Sequence, residues 1–406
     1  MPVMKKALQS KRQSLNTTSI LQMASIYFDH NATTALNNQV LDVMLPWLSN
    51  QTGNPTSRHI FGRSARDAIE HARAQVAEAC GAYTSQVVFT SCGTEANNFA
   101  IKGIATINPT SISAQILTSA IEHPCVTRPA IAMQQYGYIN QQIAVDTQGK
   151  VDLAQLKLQL RTATKLVSVM LANNETGVIQ DINSIAEMAR SVGAVIHTDA
   201  VQALGKFDLS FADLNVNAMT ISSHKIHGPQ GAAALILDKK LDMQPQIHGG
   251  GQEKGLRSGT ENVAAIVGFG AACELAISNR ANFVAHTAAL RDQLEQGLKA
   301  LNVSIFGNKV SRIPNTSFFA IDGIEGETMV MALDRKGYAV ASGSACSSDS
   351  TEPSQVLLAM GVPADLARGA VRVSFGANNT AEQVTNFLAT LSNEILRLRQ
   401  MSAIAA

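Results

Sequence analysis

The chain has 406 residues, 46% of them apolar, enough for a large core in two domains or in one large unit with an appendage. Its 32 basic and 31 acidic residues balance, so a nucleic-acid or polyanion partner has no bulk electrostatic support, and no apolar run reaches membrane-spanning length. Five cysteines (Cys80, Cys92, Cys125, Cys273 and Cys346) form no CxxC and no metal-ligand spacing; an odd, unpaired set suits a reducing cytoplasm, with small metabolites as the expected ligands.

Residues 1–25 carry Lys5, Lys6, Lys11 and Arg12, no acid, and many Ser and Thr. They read as a disordered extension before an internal start near Met23, or as an organellar presequence. From Ile26 strand-like runs alternate with helical ones. Ala65, Ala68, Ile69, Ala72, Val76 and Ala79 follow helical spacing, and Val87–Phe89 then reads as a buried strand. Further strands are expected at Gln115–Thr118, Lys165–Leu171, Val195–His197, Ala218–Ile221 and Ala232–Leu237. A helix over Ile182–Ser191 has Asp181 or Asn183 as its N-cap. This alternation predicts an α/β fold with a mostly parallel sheet covered by helices, whose ligands bind beyond the carboxyl ends of the strands. The pattern then changes. A long helix (Ala281–Leu301), Asn315–Ile321, a helix near Glu327–Lys336, Arg368–Phe375 and a last helix near Ala381–Gln400 predict a smaller α+β domain. The expected division is a large domain over 39–278 and a small one over 279–406, joined by the segment 26–38.

Lys225 ends a short apolar strand in Thr220-Ile-Ser-Ser-His-Lys225, and Asp199 ends another in Val195-Ile-His-Thr-Asp199. A lysine at such an edge can form a Schiff base with an aldehyde. A nearby aspartate can keep a ring nitrogen protonated, because an opposite charge favours the cationic form. Together they are what a pyridoxal phosphate site requires. Alone, Asp199 reads as a cap for a following helix.

The phosphate of such a cofactor needs backbone N–H groups at a helix N-terminus together with hydroxyls. Val87-Val-Phe-Thr-Ser-Cys-Gly93-Thr94 supplies a strand, a glycine turn and a helix start. Thr94 by itself also reads as a plain N-cap. Ser222 and Thr260 are further hydroxyls, His224 lies next to Lys225 and can reach the phosphate, and Gln202 can donate to the ring oxygen. His123, after the strand near Thr118, can stack on the cofactor and move protons. Asn174 follows another strand; its amide suits the ring oxygen or a substrate carboxylate, and it also reads as a turn residue. Cys346 sits among small polar residues, as a reactive thiol does, whereas Cys80 and Cys273 lie in apolar helical stretches and read as packing. Cys92 and Cys125 neighbour the expected pocket. No metal site is expected.

These motifs resemble those of the cysteine desulfurases of the NifS and IscS type, in the class V aminotransferase-like branch of fold-type I pyridoxal phosphate enzymes. The resemblance runs from Tyr27-Phe-Asp-His-Asn-Ala-Thr-Thr34 to the last helix. It includes Gly53-Asn-Pro55, Phe89-Thr-Ser-Cys-Gly-Thr-Glu95, Glu122-His123, Asn173-Asn-Glu-Thr-Gly177, Asp199-Ala-Val-Gln202, Ser222-Ser-His-Lys225, Arg257-Ser-Gly-Thr260 and Ser342-Gly-Ser-Ala-Cys346. It implies pyridoxal 5'-phosphate bound covalently to Lys225, with Asp199, Gln202 and His123 on the ring and Thr94, Ser222, His224 and Thr260 on the phosphate. The family's counterpart of Thr260 comes from a second subunit, which implies a homodimer. Arg372, assisted by Asn174, would grip the carboxylate of L-cysteine, since an arginine fork matches that group. Cys346 would take the sulfur as a persulfide, leave L-alanine, and pass the sulfur to an acceptor protein such as an iron–sulfur scaffold. The long run from Ser347 to Ser354 suits a thiol that meets substrate inside and acceptor outside. Competing readings are a selenocysteine lyase, a cysteine β-lyase or an aminotransferase on the same fold, and a non-enzymatic sulfur carrier.

Overall fold

The computed structural model describes residues 25–107, 114–343 and 352–405. After a two-residue strand β1 (Ile26–Tyr27), seven strands build the main sheet: β2 (Val87–Thr90), β3 (Gln115–Ser119), β4 (Ile139–Ile143), β5 (Thr164–Ser168), β6 (Val195–Asp199), β7 (Ala218–Ser222) and β8 (Ala233–Leu237). Their spatial order is β2-β8-β7-β6-β5-β3-β4, with β8 alone antiparallel to its neighbours. Two antiparallel steps restore direction, so β2 runs parallel to β7 and its carboxyl end reaches the same edge. The fold is α/β, as the alternation of runs predicts.

Neighbouring side chains on these strands point to opposite faces, and both faces are buried. Val87, Phe89, Leu117, Val167, Ile196, Met219 and Ile236 enter one core, against the helices Ile60–Ala79, Ile182–Ser191 and Val263–Ser278. Val88, Ile116, Leu166, Ala218, Leu235 and Leu237 enter another, with Phe99, Ile101, Ile104 and Val126 of the helices Gly93–Ala105 and Pro124–Ala132. This is why the strands read as continuous apolar runs rather than alternating ones. Each fully buried Val, Leu, Ile or Phe contributes about 1.5–3 kcal/mol.

The remaining strands are β9 (Ser304–Ile305), β10 (Thr316–Ala320), β11 (Tyr338–Ala339), β12 (Ala341–Ser342) and β13 (Ala370–Ser374). Four of them form an antiparallel sheet, β12-β13-β10-β9, while β11 pairs in parallel with β1. Phe28, just after β1, packs edge-on against Phe375 and Phe387 at centroid distances of 5.1 and 5.5 Å. The N-terminal segment is thereby fastened to the C-terminal part before it crosses to the main sheet.

Two expectations are revised in detail. The strand expected over Lys165–Leu171 is regular only to Ser168, although the Val169 and Leu171 N–H groups still reach the His197 and Asp199 carbonyls at 3.1 and 2.9 Å. The chain thus stays extended beside β6 on its way to Asn174. Asp181 rather than Asn183 caps the next helix, accepting from the Ser184 N–H at 3.2 Å. Cys80 and Cys273 are buried in the core. Among the described residues no single helix is long and apolar enough to cross a membrane.

Candidate active site

The carboxyl ends of β2, β3, β5, β6 and β7 open onto one cavity of about 340 Å³. Its wall carries Gly93, Thr94, His123, Asn174, Asp199, Gln202, Ser222, His224, Lys225 and Arg372. Segments that lie far apart in the sequence are therefore gathered around one cavity.

Lys225 closes a short 3-10 turn after β7. Its Nζ donates to the carbonyls of Asn31 and Ala32 at 2.6 and 2.7 Å, which holds the amine at the wall. Asp199 is buried at the end of β6; Oδ1 accepts from the Val201 N–H at 2.9 Å and Oδ2 from Asn97 Nδ2 at 2.7 Å. The reading of Asp199 as a helix cap is overturned, because a series of turns follows it. His123 caps the helix Pro124–Ala132, its Nδ1 accepting from the Cys125 N–H at 3.2 Å. The imidazole proton accordingly sits on Nε2. Burial lowers the pKa of His123, with Lys225 and Arg128 adding and Asp199 opposing, so the ring is neutral.

Gly93 and Thr94 open the helix Gly93–Ala105, whose N-cap is Cys92 and not Thr94. A Cβ on Gly93 would lie 3.3 Å from Val201 Cγ2 and 3.8 Å from Ser222 Cβ, so a side chain there would crowd the cradle. Ser222 is buried and its Oγ has no hydrogen-bond partner among the described residues. An unsatisfied buried hydroxyl is costly. Beside N–H groups at the start of a helix, it matches a ligand phosphate. His224 Nδ1 stands 3.1 Å from Thr33 Oγ1, and burial, then Lys225, lowers its pKa to about 4. Thr260 does not reach this wall; it is exposed, in a loop tied to the helix Gly93–Ala105 by the Arg257–Glu95 ion pair at 2.7 Å.

Arg372 lies on β13 and crosses to the cavity, pairing with Asp29 at 2.6 Å and donating to the Asn174 carbonyl at 3.1 Å. Its buried Nε has no partner among the described residues, so the guanidinium keeps donor capacity for an anion. Cys346 lies outside the described residues.

Sequence reasoning gave no role to Asn31, Asn97, Met170 or Lys206. Asn31 joins the two parts of the fold: Nδ2 donates to Thr316 Oγ1 at 2.8 Å and to the Asn174 carbonyl at 3.1 Å, while its own carbonyl holds Lys225. The available signal was its place in the polar run directly after Phe28. Asn97 follows Thr94 by three residues, hence one helical turn, which alone would place it near the same wall. Cys125 and Cys92 also line the cavity; burial, then Asp199, pushes the Cys125 thiol well up, and its Sγ contacts His123 Nδ1 at 2.9 Å.

Residues 26–387 match the family model described as aminotransferase class-V. The chain belongs to that family. Its cofactor is pyridoxal 5'-phosphate, and the glycine cradle, the Ser222 hydroxyl (without a partner among the described residues), the amine and the buried carboxylate on one wall fit that molecule. The chain is 41% identical to "Cysteine desulfurase IscS" of Dictyoglomus turgidum, over 93% of this chain and 96% of the relative. It is similar to a solved "NIFS-LIKE PROTEIN" with a TM-score of 0.86 and 36% identity, covering 92% of this chain and 100% of that one. A structure titled "SspA in complex with cysteine" matches with a TM-score of 0.76 and 31% identity, over 87% of this chain and 99% of that one.

Proposed function

We propose that the protein is a pyridoxal 5'-phosphate-dependent cysteine desulfurase, converting L-cysteine to L-alanine and carrying the sulfur as a persulfide on Cys346. The observation that carries this reading is one cavity holding the Lys225 amine, the buried Asp199 carboxylate, the unpartnered Ser222 hydroxyl and the Arg372 fork.

In this reading Lys225 holds the cofactor and later moves a proton. Asp199 would pair with the ring nitrogen, and Asn97 keeps that carboxylate in place. Neutral His123 would lie against the ring with its Nε2–H, Gln202 would donate to the ring oxygen, and Gly93, Thr94, Ser222 and His224 would hold the phosphate. When bound, the cofactor supplies an electron-withdrawing ring that eases proton loss at the α-carbon of an amino acid. Arg372 orients the substrate carboxylate, with Asn174 beside it. The Cys346 thiol takes the sulfur atom of L-cysteine; the C–S bond breaks, an S–S bond forms, and the carbon skeleton regains hydrogen as alanine.

A homodimer completes the site through Thr260 of the second subunit. Thr260 is exposed, and Leu48, Ile60 and Phe61 leave 62%, 66% and 63% of their surface uncovered, an apolar display that suits a subunit interface. The acceptor is a sulfur-receiving protein such as an iron–sulfur scaffold, by family resemblance, and cytoplasmic placement rests on the cysteine usage. Product analysis tests the reaction. Pure holoprotein given L-cysteine and a thiol reductant should release alanine and sulfide in equal amounts; pyruvate and ammonia would mean a β-lyase, and turnover of selenocysteine alone would mean a selenocysteine lyase.

A further inference from the structure

Lys206 is buried to 4% exposure, and among the described residues no carboxylate forms an ion pair with it. Burying a lysine is costly, and a methionine would fill the same volume without that penalty. Its Nζ donates to Gln202 Oε1 at 2.6 Å and to Asn31 Oδ1 at 3.2 Å. Gln202 Nε2 in turn donates to the Asn31 carbonyl at 2.9 Å, the same carbonyl that takes Lys225 Nζ at 2.6 Å. Lys206 does not line the cofactor cavity. It lines a separate cavity of about 330 Å³ behind Lys225, with His30, His227 and Phe375.

We infer that Lys206 is a positioning residue, which sets the amide of Gln202 so that its nitrogen faces the cofactor cavity, and pins Asn31 against Lys225. The logic is one of donors and acceptors. An amine bonded here as a donor demands the amide oxygen of Gln202, so the NH₂ group must turn away from it. One of its hydrogens goes to Asn31, and the other is left for the cavity that Gln202 lines. Burial, then Lys225 and Arg372, pushes the pKa of Lys206 well below the ordinary lysine value. A neutral amine still carries two hydrogens, enough for both bonds. His30 and His227 also face it, and burial holds both below the usual histidine range.

This inference rests on the reading above in which Gln202 donates to the ring oxygen. Losing that donor leaves the oxygen more basic, so the proton it shares with the nitrogen joining Lys225 to the cofactor is held more tightly. The experiment is a pH titration of the visible absorption of the bound cofactor in Lys206→Met, Gln202→Leu, the double variant and Lys206→Gln. Each of the first two should raise the midpoint by roughly one pH unit, a tenfold change in proton affinity. The double variant should move no further than Gln202→Leu alone. Lys206→Gln, which keeps a donor, should stay near the wild-type midpoint, and it covers the case in which the methionine variant folds poorly. An unmoved Lys206→Met, an additive double variant, or a Lys206→Gln shift as large as that of Lys206→Met would each overturn the inference. An unmoved Gln202→Leu would overturn the ring-oxygen reading itself, and the inference with it.

Discussion

Asn97 Nδ2 donates to Asp199 Oδ2 across 2.7 Å, inside the protein, from the second turn of the helix that begins at Gly93. One helix therefore presents its N-terminus to the cavity and fixes the Asp199 carboxylate on the same wall. Replacing Asn97 with leucine leaves one carboxylate oxygen unsatisfied. Hydrogen bonds to charged groups contribute about 1.5–3 kcal/mol. Asn97→Leu should lower kcat by roughly ten- to a hundredfold with cofactor still bound. Steady-state kinetics on cofactor-saturated protein checks this.

Arg372 is held by Asp29 and by the Asn174 carbonyl, and its Nε has no partner among the described residues. A lysine cannot reproduce two parallel donors in one plane. Arg372→Lys should raise KM for L-cysteine about tenfold or more, and Asp29→Asn should do so more weakly by loosening the fork. If KM is unchanged in Arg372→Lys, the substrate carboxylate binds elsewhere.

Glu122 precedes His123 and is buried, one oxygen accepting from Ser119 Oγ at 2.5 Å and the Met170 N–H at 2.6 Å. Burial, with Asp199 adding and those hydrogen bonds opposing, raises its pKa from 4.5 to about 8. The folded protein thus holds a proton that the unfolded chain releases near 4.5. Stability from this group is fully present below that value and is lost as pH rises towards about 8. Glu122→Gln keeps the acceptor oxygen and cannot ionise. The melting temperature of the wild type should fall relative to the variant between pH 5 and 8 (about one melting curve per half unit resolves it), and parallel curves would refute the assignment.

The proposed homodimer makes a further prediction. Lys225→Ala and Thr260→Ala proteins should each be impaired alone. Dissociated and reassociated together, they should regain activity, because mixed dimers contain one site with both residues intact. Activity that never exceeds the sum of the separate preparations would place Thr260 outside the neighbouring site.

The main sheet was legible because its strands are buried on both faces, so continuous apolar runs such as Val87–Phe89 and Ala232–Leu237 announce it. Lys225 and Asp199 were legible for a related reason: a polar residue that ends such a run lies at the carboxyl edge. Asn31 was not, because its importance comes from bonds to Asn174 and Thr316, residues more than a hundred positions away. Lys206 was hidden in the same way. A lysine three residues after Ala203 reads as a solvated side chain until packing shows it enclosed. Thr94 looked like a helix cap, yet the helix starts one residue earlier, at Gly93, so the cap falls to Cys92.

Reduction of the holoprotein with borohydride, followed by peptide mass spectrometry, tests the central claim most directly. The account predicts one pyridoxyl group fixed on Lys225, with none in Lys225→Ala. A protein that binds pyridoxal 5'-phosphate but carries the reduced adduct on another lysine, or on none, would contradict it.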